Sequence, residues 1–298
     1  MSPITKSSFA KVGRGLWFGA LAVALVVAAQ IAAQRGAQVE EYPHGCDSFG
    51  YLRMAQEIRQ AAGRGELPRF NLESEHTRLL IDLMRSRDVS PNLWDEMIAP
   101  HAHHYFPRAN HVGVQYPPGT GLLLALFPPD KAVRGLNRAI VLVFLAMGLL
   151  LLALAAAARA WVSAGFVVLA LYLGLDILGN MRSISFSINA VLLPLLLSFV
   201  CMFAALRAGE REGAEGNGGG LLTSARLYAL ASGIFMGLAV LIRLPVVFLL
   251  PGLLVLWWSP AWRAFFKSTL FAFGLGVLLC GIVPLLVHQH RLAGAWYL

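Results

Sequence analysis

The sequence predicts an all-α polytopic membrane protein of about seven transmembrane helices with a large extracytoplasmic first loop. Three observations carry that prediction. Hydrophobic residues make up 57% of the 298 and charged residues only 13%, about half the ~25% charged share of a soluble domain. The apolar residues come in uninterrupted runs long enough to cross a bilayer. The basic residues gather in short connections: residues 1–15, Arg159, 207–226 and 259–267 hold nine Lys/Arg against three acids, whereas 34–138 hold twelve of each. That placement turns a net charge of +8 into the positive-inside bias that orients a membrane protein, and no nucleic-acid partner is expected.

Each element follows from the same signals. Residues 1–15 form a cytoplasmic tail carrying Lys6, Lys11 and Arg14, and 16–33 form the first transmembrane helix. A signal peptide would look similar, but no small-x-small cleavage site follows, so the run reads as a retained anchor with residue 34 emerging outside. The run 140–158 covers about 28 Å as helix at ~1.5 Å per residue, enough to cross, and returns the chain to Arg159. Residues 164–178 lead out and 190–206 lead back to Arg207. The segment 207–226, Gly- and Glu-rich over Glu210–Gly220, reads as a cytoplasmic linker. Leu227–Trp258 is too long for one crossing and short for two. Arg243 and Pro245 interrupt it, so a tight hairpin of 227–242 and 244–258 is expected, with Trp257, Trp258 and Trp262 in an interfacial belt. The last crossing, 268–287, runs out to His288-Gln-His-Arg291. Gly119–Phe127, bracketed by Pro117-Pro118 and Pro128-Pro129, is too short to span and reads as a re-entrant or interfacial helix. The bundle thus covers 119–288, and all eight histidines fall on the outer side.

The loop of residues 34–118 far exceeds an ordinary connection. Within it Ser48–Ala62 places Tyr51, Leu52, Ala55 and Ile58 on one helical face, with Arg53, Gln56, Glu57 and Gln60 largely elsewhere, as in an interfacial amphipathic helix. Thr77–Arg87 offers a second such stretch. Asp47 stands just before the first, where an N-cap belongs. It has two readings: a cap for the free N–H groups of the first turn, or a general base held at the boundary of water and membrane. Cys46, Cys201 and Cys280 provide neither a disulfide framework nor metal spacing. With no histidine partnered to it, Cys46 is not read as a nucleophile.

The residues from His44 to Leu52 (His-Gly-Cys-Asp-Ser-Phe-Gly-Tyr-Leu), just after a first transmembrane helix, resemble the first-loop acidic motif of the GT-C membrane glycosyltransferases. These include protein-mannosyltransferase-like and aminoarabinose-transferase-like enzymes. The segment from Gln115 to Ala125, with Tyr116-Pro-Pro, is similar to the family's segment at the end of that loop. Asn180-Met-Arg182 sits where members often carry an arginine, and Gly237-Leu-Ala-Val-Leu-Ile-Arg243-Leu-Pro resembles their Gly-Leu-Ala…Arg/Lys-Pro hairpin. The likeness spans nearly the whole chain. Because members carry further helices or a soluble domain beyond the seventh crossing, it implies a short member or a fragment of a longer one.

The resemblance implies a multi-pass enzyme of a bacterial inner membrane, with a cytoplasmic N-terminus and its reaction on the periplasmic side. A sugar would pass, with inversion, from a polyprenyl-phosphate carrier to an acceptor hydroxyl on a lipid, glycan or protein. Asp47 would be the base. Arg182 and Arg243 would bind the carrier's phosphate, though snorkelling at the interface explains them equally. His111, by its nearness to Tyr116, would touch phosphate or sugar, and Tyr51 and Tyr116 would stack on sugar or simply anchor at the interface. A divalent metal is the one cofactor used by some members. His101, His103 and His104 are weak candidates for it, since two are adjacent in an expected loop and a site needs three or four converging ligands. Membrane lipid is the remaining expected partner. The alternative is a non-enzymatic polytopic protein, a transporter or a degenerate assembly partner. Transporters place polar groups at the bilayer midplane, whereas here polar residues gather at the outer surface.

Overall fold

A computed structural model describes residues 3–38, 45–71, 75–90, 93–94, 99, 102–114, 116–157, 160–180, 186–214, 223–248 and 260–294. It forms two compact units, residues 1–40 with 133–184 and residues 41–132 with 185–298. Among the described residues, five helices are long and apolar enough to cross a membrane, over Gly15–Ala37, Pro129–Ala157, Ala190–Glu212, Ser224–Ile242 and Thr269–Ala293. These overlap five of the seven expected crossings. The run expected at 164–178 has a shorter apolar stretch, Ala164–Leu175, and the one expected at 244–258 lies outside the described residues beyond 248.

The first unit contains α1 (Pro3–Ala37), α5 (Ala132–Ala157) and α6 (Trp161–Asn180). Alanines at 28, 29 and 32 on α1 give a narrow face that lets α6 approach closely, which is how helices pack where lipid removes the hydrophobic drive. Leu25 and these alanines close on Val141, Leu171 and Leu175. A second cluster, Leu152, Ala164 and Val168 with Phe18 and Leu21, continues the seam.

The second unit contains α2 (Gly45–Arg64), α3 (Glu75–Ser86), the strands β1 (His103–Phe106) and β2 (His111–Val114), and α4 (Gly119–Ala125). It continues with α7 (Phe186–Ala214), α8 (Ser224–Ile242), α9 (Pro260–Val277) and α10 (Val283–Ala293). Thr223 caps α8, its hydroxyl accepting from the Arg226 N–H. The helix stops at Ile242 because Pro245 has no N–H to continue the ladder, and Arg243 is extended. Ser198 and Ser232 lock α7 to α8 while fully buried, each hydroxyl donating to the other residue's carbonyl at 2.9 and 2.8 Å. Between α9 and α10 the helix widens into a π turn, Leu278–Ile282. Pro284 explains it: a proline inside a helical run removes one N–H and crowds the preceding turn, and a wider turn relieves both. Gly294, left-handed at φ 71°, ends α10 with its N–H on the His290 carbonyl.

The β-hairpin was not expected, since the loop was read as helices alone. Its strands are four residues each and pair antiparallel, His103 with Val114 through Phe106 with His111. They are too short for alternation to stand out in the sequence. Tyr105 and Val112 pack with Ile81, Met84 and Trp94, so the hairpin forms the floor for α3. Trp94 donates to the Val89 carbonyl, and Tyr105 donates to the Asn110 side chain in the turn. Residue Phe70 extends the sheet edge, its carbonyl accepting from the Val114 N–H.

Arg59 of α2 closes the exposed end of α4. Its Nη2 donates to the carbonyls of Leu124 and Phe127 at 2.6 and 2.8 Å and its Nε to that of Ala125 at 3.3 Å. These are carbonyls at and just beyond the end of a short helix, where backbone donors run out. Burial lowers the guanidinium's pKa from its ordinary value. Arg59→Ala is expected to destabilise the protein by about 1–2 kcal/mol, with Arg59→Lys intermediate because an ammonium lacks the fork. Thermal unfolding in detergent reads the difference.

Candidate functional site

The site is built on the first turn of α2. The helix begins at Gly45, so Asp47 lies inside the first turn and not before it as the capping position expected from the sequence. There the helix dipole favours a negative charge. The half-buried Asp47 carboxylate accepts a hydrogen bond from the Tyr116 hydroxyl, Oη to Oδ1 2.5 Å, across 69 positions of sequence. A bond of this length to a carboxylate is charge-assisted and directional. The Tyr116 ring tilts against Tyr51, centroids 5.0 Å apart. Gly50 makes the packing tight: a Cβ there would meet the Ala102 side chain at 2.8 Å and the Tyr116 ring at 2.9 Å.

The buried face of α2 comprises Ser48, Tyr51, Met54, Ala55 and Ala61. Of the face expected from the sequence, Leu52 and Ile58 are only half-buried. Ile58 instead lines a cavity of about 490 Å³. The segment after α2, the start of β2, α4, the end of α8 and α10 enclose it, and Arg69, His111, His288 and Arg291 are among its lining residues. Phe70 meets the His288 ring edge-on at 5.4 Å. His288 is also hydrogen-bonded to the backbone carbonyl of Tyr116. One residue therefore joins the two features: the Tyr116 carbonyl holds the cavity wall and its hydroxyl holds Asp47.

Of the residues singled out from the sequence, Asp47, Tyr51 and Tyr116 come together, and His111 lines the adjoining cavity. Arg243 is half-buried at the end of α8 and is not among the cavity's lining residues. Arg182 lies outside the described residues, as do His101 and the side chain of Cys46. His103 and His104 are not in a loop but are neighbours on β1, so their side chains leave on opposite faces; His103 is buried and His104 exposed. They cannot converge on one ion, and among the described residues no three His, Cys, Asp or Glu are grouped to hold a metal. Sequence reasoning missed Arg69, His288 and Arg291 as site residues. The signal for the last two was the basic cluster that ends the final apolar run.

The chain is thus a predominantly helical multi-pass membrane protein whose second unit carries a carboxylate–phenol pair beside a basic, largely apolar cavity. Compared with models of protein families, with curated proteins and with solved structures, it matches none.

Proposed function

We propose that the chain is a GT-C-type glycosyltransferase that moves a sugar from a polyprenyl-phosphate carrier to an acceptor hydroxyl at the outer face of an inner membrane. The observation that carries this reading is the Asp47–Tyr116 hydrogen bond, which joins the two segments whose sequences resemble the family's loop motifs. A half-buried carboxylate at a helix N-terminus is placed to take a proton from an acceptor. In the reaction the acceptor hydroxyl attacks the anomeric carbon from the face opposite the phosphate. The new carbon–oxygen bond forms as the carbon–phosphate-oxygen bond breaks, the hydroxyl proton passes to Asp47, and polyprenyl phosphate leaves with the bonding electrons. Tyr116, donating to one carboxylate oxygen, holds Asp47 in position for the acceptor. Tyr51, stacked on Tyr116, keeps that ring in place. Arg182 and Arg243, named by the motifs, are the cations the family resemblance offers to the phosphate.

The test is to incubate membranes with labelled polyprenyl-phosphate sugars and look for a glycosylated product that Asp47→Asn loses. The reading also needs seven crossings, a cytoplasmic N-terminus and an outer first loop. A cysteine placed at Ser74 is therefore expected to label from outside and one at Gly216 from inside. Reversed labelling removes the loop from the carrier's side and ends the proposal.

A further inference from the structure

We infer that the cavity beside Tyr116 is a binding site for a phosphate monoester carried on an apolar chain, with Arg69, Arg291 and His288 holding the phosphate. The inference deepens the transfer reading and rests on it for the ligand's place in a reaction, but binding is measurable without turnover. Its first support is the composition of the walls. Arg69, Arg291, His111 and His288 face a lining otherwise dominated by residues such as Leu122 and Val287, and among the described residues no carboxylate lines it. Nor does an acid among the described residues pair with Arg69 or Arg291. Cations without acids select an anion, and apolar walls select what is attached to it.

The second support is independent of charge. His288 is 7% exposed, and its Nε2 is buried without a hydrogen-bond partner. The Phe70 ring, edge-on to His288 at 5.4 Å, helps fix the imidazole in the cavity wall. Buried polar atoms in folded proteins are paired almost without exception, so a group entering the cavity is the natural partner. A phosphate monoester suits Nε2 in either protonation state, offering P–OH to the neutral ring or P–O⁻ to the charged one. The two arginines are exposed and so reach the phosphate without first having to be desolvated.

Size sets the rest. About 490 Å³ lies within the range of small-ligand pockets, ~300–1,000 Å³. It holds a headgroup and the first units of a chain; a long polyprenyl tail continues beyond it. Sequence motifs named Arg182 and Arg243 for the phosphate, so the site differs in its residues from the one the resemblance implied.

The test measures binding to the full chain in phosphatidylcholine nanodiscs with farnesyl phosphate, farnesol, inorganic phosphate and phosphatidic acid. Farnesyl phosphate is expected to bind at least about tenfold more tightly than the alcohol or inorganic phosphate. Arg69→Gln and Arg291→Gln are each expected to weaken it about tenfold, with partial recovery in Arg291→Lys and no change in Arg53→Gln, whose arginine pairs with Glu57 outside the cavity. Unfolding midpoints identify any variant that has lost its fold. Equal binding of phosphatidic acid supports the site and moves its ligand to a membrane phospholipid. Equal binding of farnesol or of inorganic phosphate, unchanged affinity in both arginine variants, or a loss confined to Arg243→Gln overturns it. Asp47→Asn separates the two proposals. Normal binding with continued turnover in that variant sinks the transfer reading alone, whereas an unsubstituted chain that binds no farnesyl phosphate, with turnover abolished by Asp47→Asn, sinks the cavity assignment alone.

Discussion

Asp47→Asn is expected to lower the rate of sugar transfer by about 10²–10⁴-fold, the usual contribution of a positioned general base. The substitution is nearly isosteric, and the amide oxygen still accepts from the Tyr116 hydroxyl, so the pairing of α2 with the 116–118 segment survives. What is lost, on the transfer reading, is the carboxylate proposed to take the acceptor's proton. The helix N-terminus loses a favourable anion as well, at a cost of about 0.3–1 kcal/mol, which moves the unfolding midpoint only slightly. A rate loss with near-normal stability and normal membrane insertion therefore isolates the chemistry. Tyr116→Phe supplies the companion measurement: the ring still packs on Tyr51 and the backbone carbonyl still holds His288, but the carboxylate loses this hydrogen bond. A smaller loss of rate than in Asp47→Asn is expected, without change in binding at the cavity. If Asp47→Asn transfers sugar at the normal rate, its carboxylate only steadies the first turn of α2.

Much of the helical part of this architecture could be read from hydropathy because a bilayer leaves few alternatives: a run of about twenty apolar residues has to satisfy its backbone internally and does so as a helix. Local propensity also sufficed for α2, where period and composition agree, although the helix starts two residues before Asp47. The hairpin was invisible for the opposite reason. Four-residue strands carry almost no pattern, and what holds His103–Phe106 and His111–Val114 is their packing on Ile81, Met84 and Trp94 from distant positions. The pairing of Asp47 with Tyr116 was half legible. Motif likeness named both, but only the fold brings residues 69 positions apart to 2.5 Å. Arg69 had no local signal at all. It follows a helix end in an ordinary loop, and it becomes part of a site only because α10 returns some 220 residues later to close the cavity.

That return depends on a backbone contact, and from it comes the largest expected effect on stability. Gly281, in the π turn, lies against Gly237 of α8 so closely that a Cβ on Gly281 would stand 2.7 Å from the Gly237 Cα and carbonyl oxygen. These are backbone atoms with no flexible end to swing aside, so Gly281→Ala has to push α8 and the π turn apart. Overpacking of this kind costs about 1–3 kcal/mol. Gly274→Ala is the matched control. It changes the same residue type on the preceding helix, where a Cβ meets nothing within 4 Å, and it gains up to about 1 kcal/mol from the better helix former. Opposite shifts of the unfolding midpoint in the two variants are expected. The effect should also reach the site, because the π turn leads directly into α10, which carries His288 and Arg291 to the cavity. Gly281→Ala is therefore expected to weaken farnesyl phosphate binding even at temperatures where it remains folded, while Gly274→Ala leaves binding alone. Equal midpoints for the two would mean that the helices separate at no cost, and that α10 is held in place by something other than this pair of glycines.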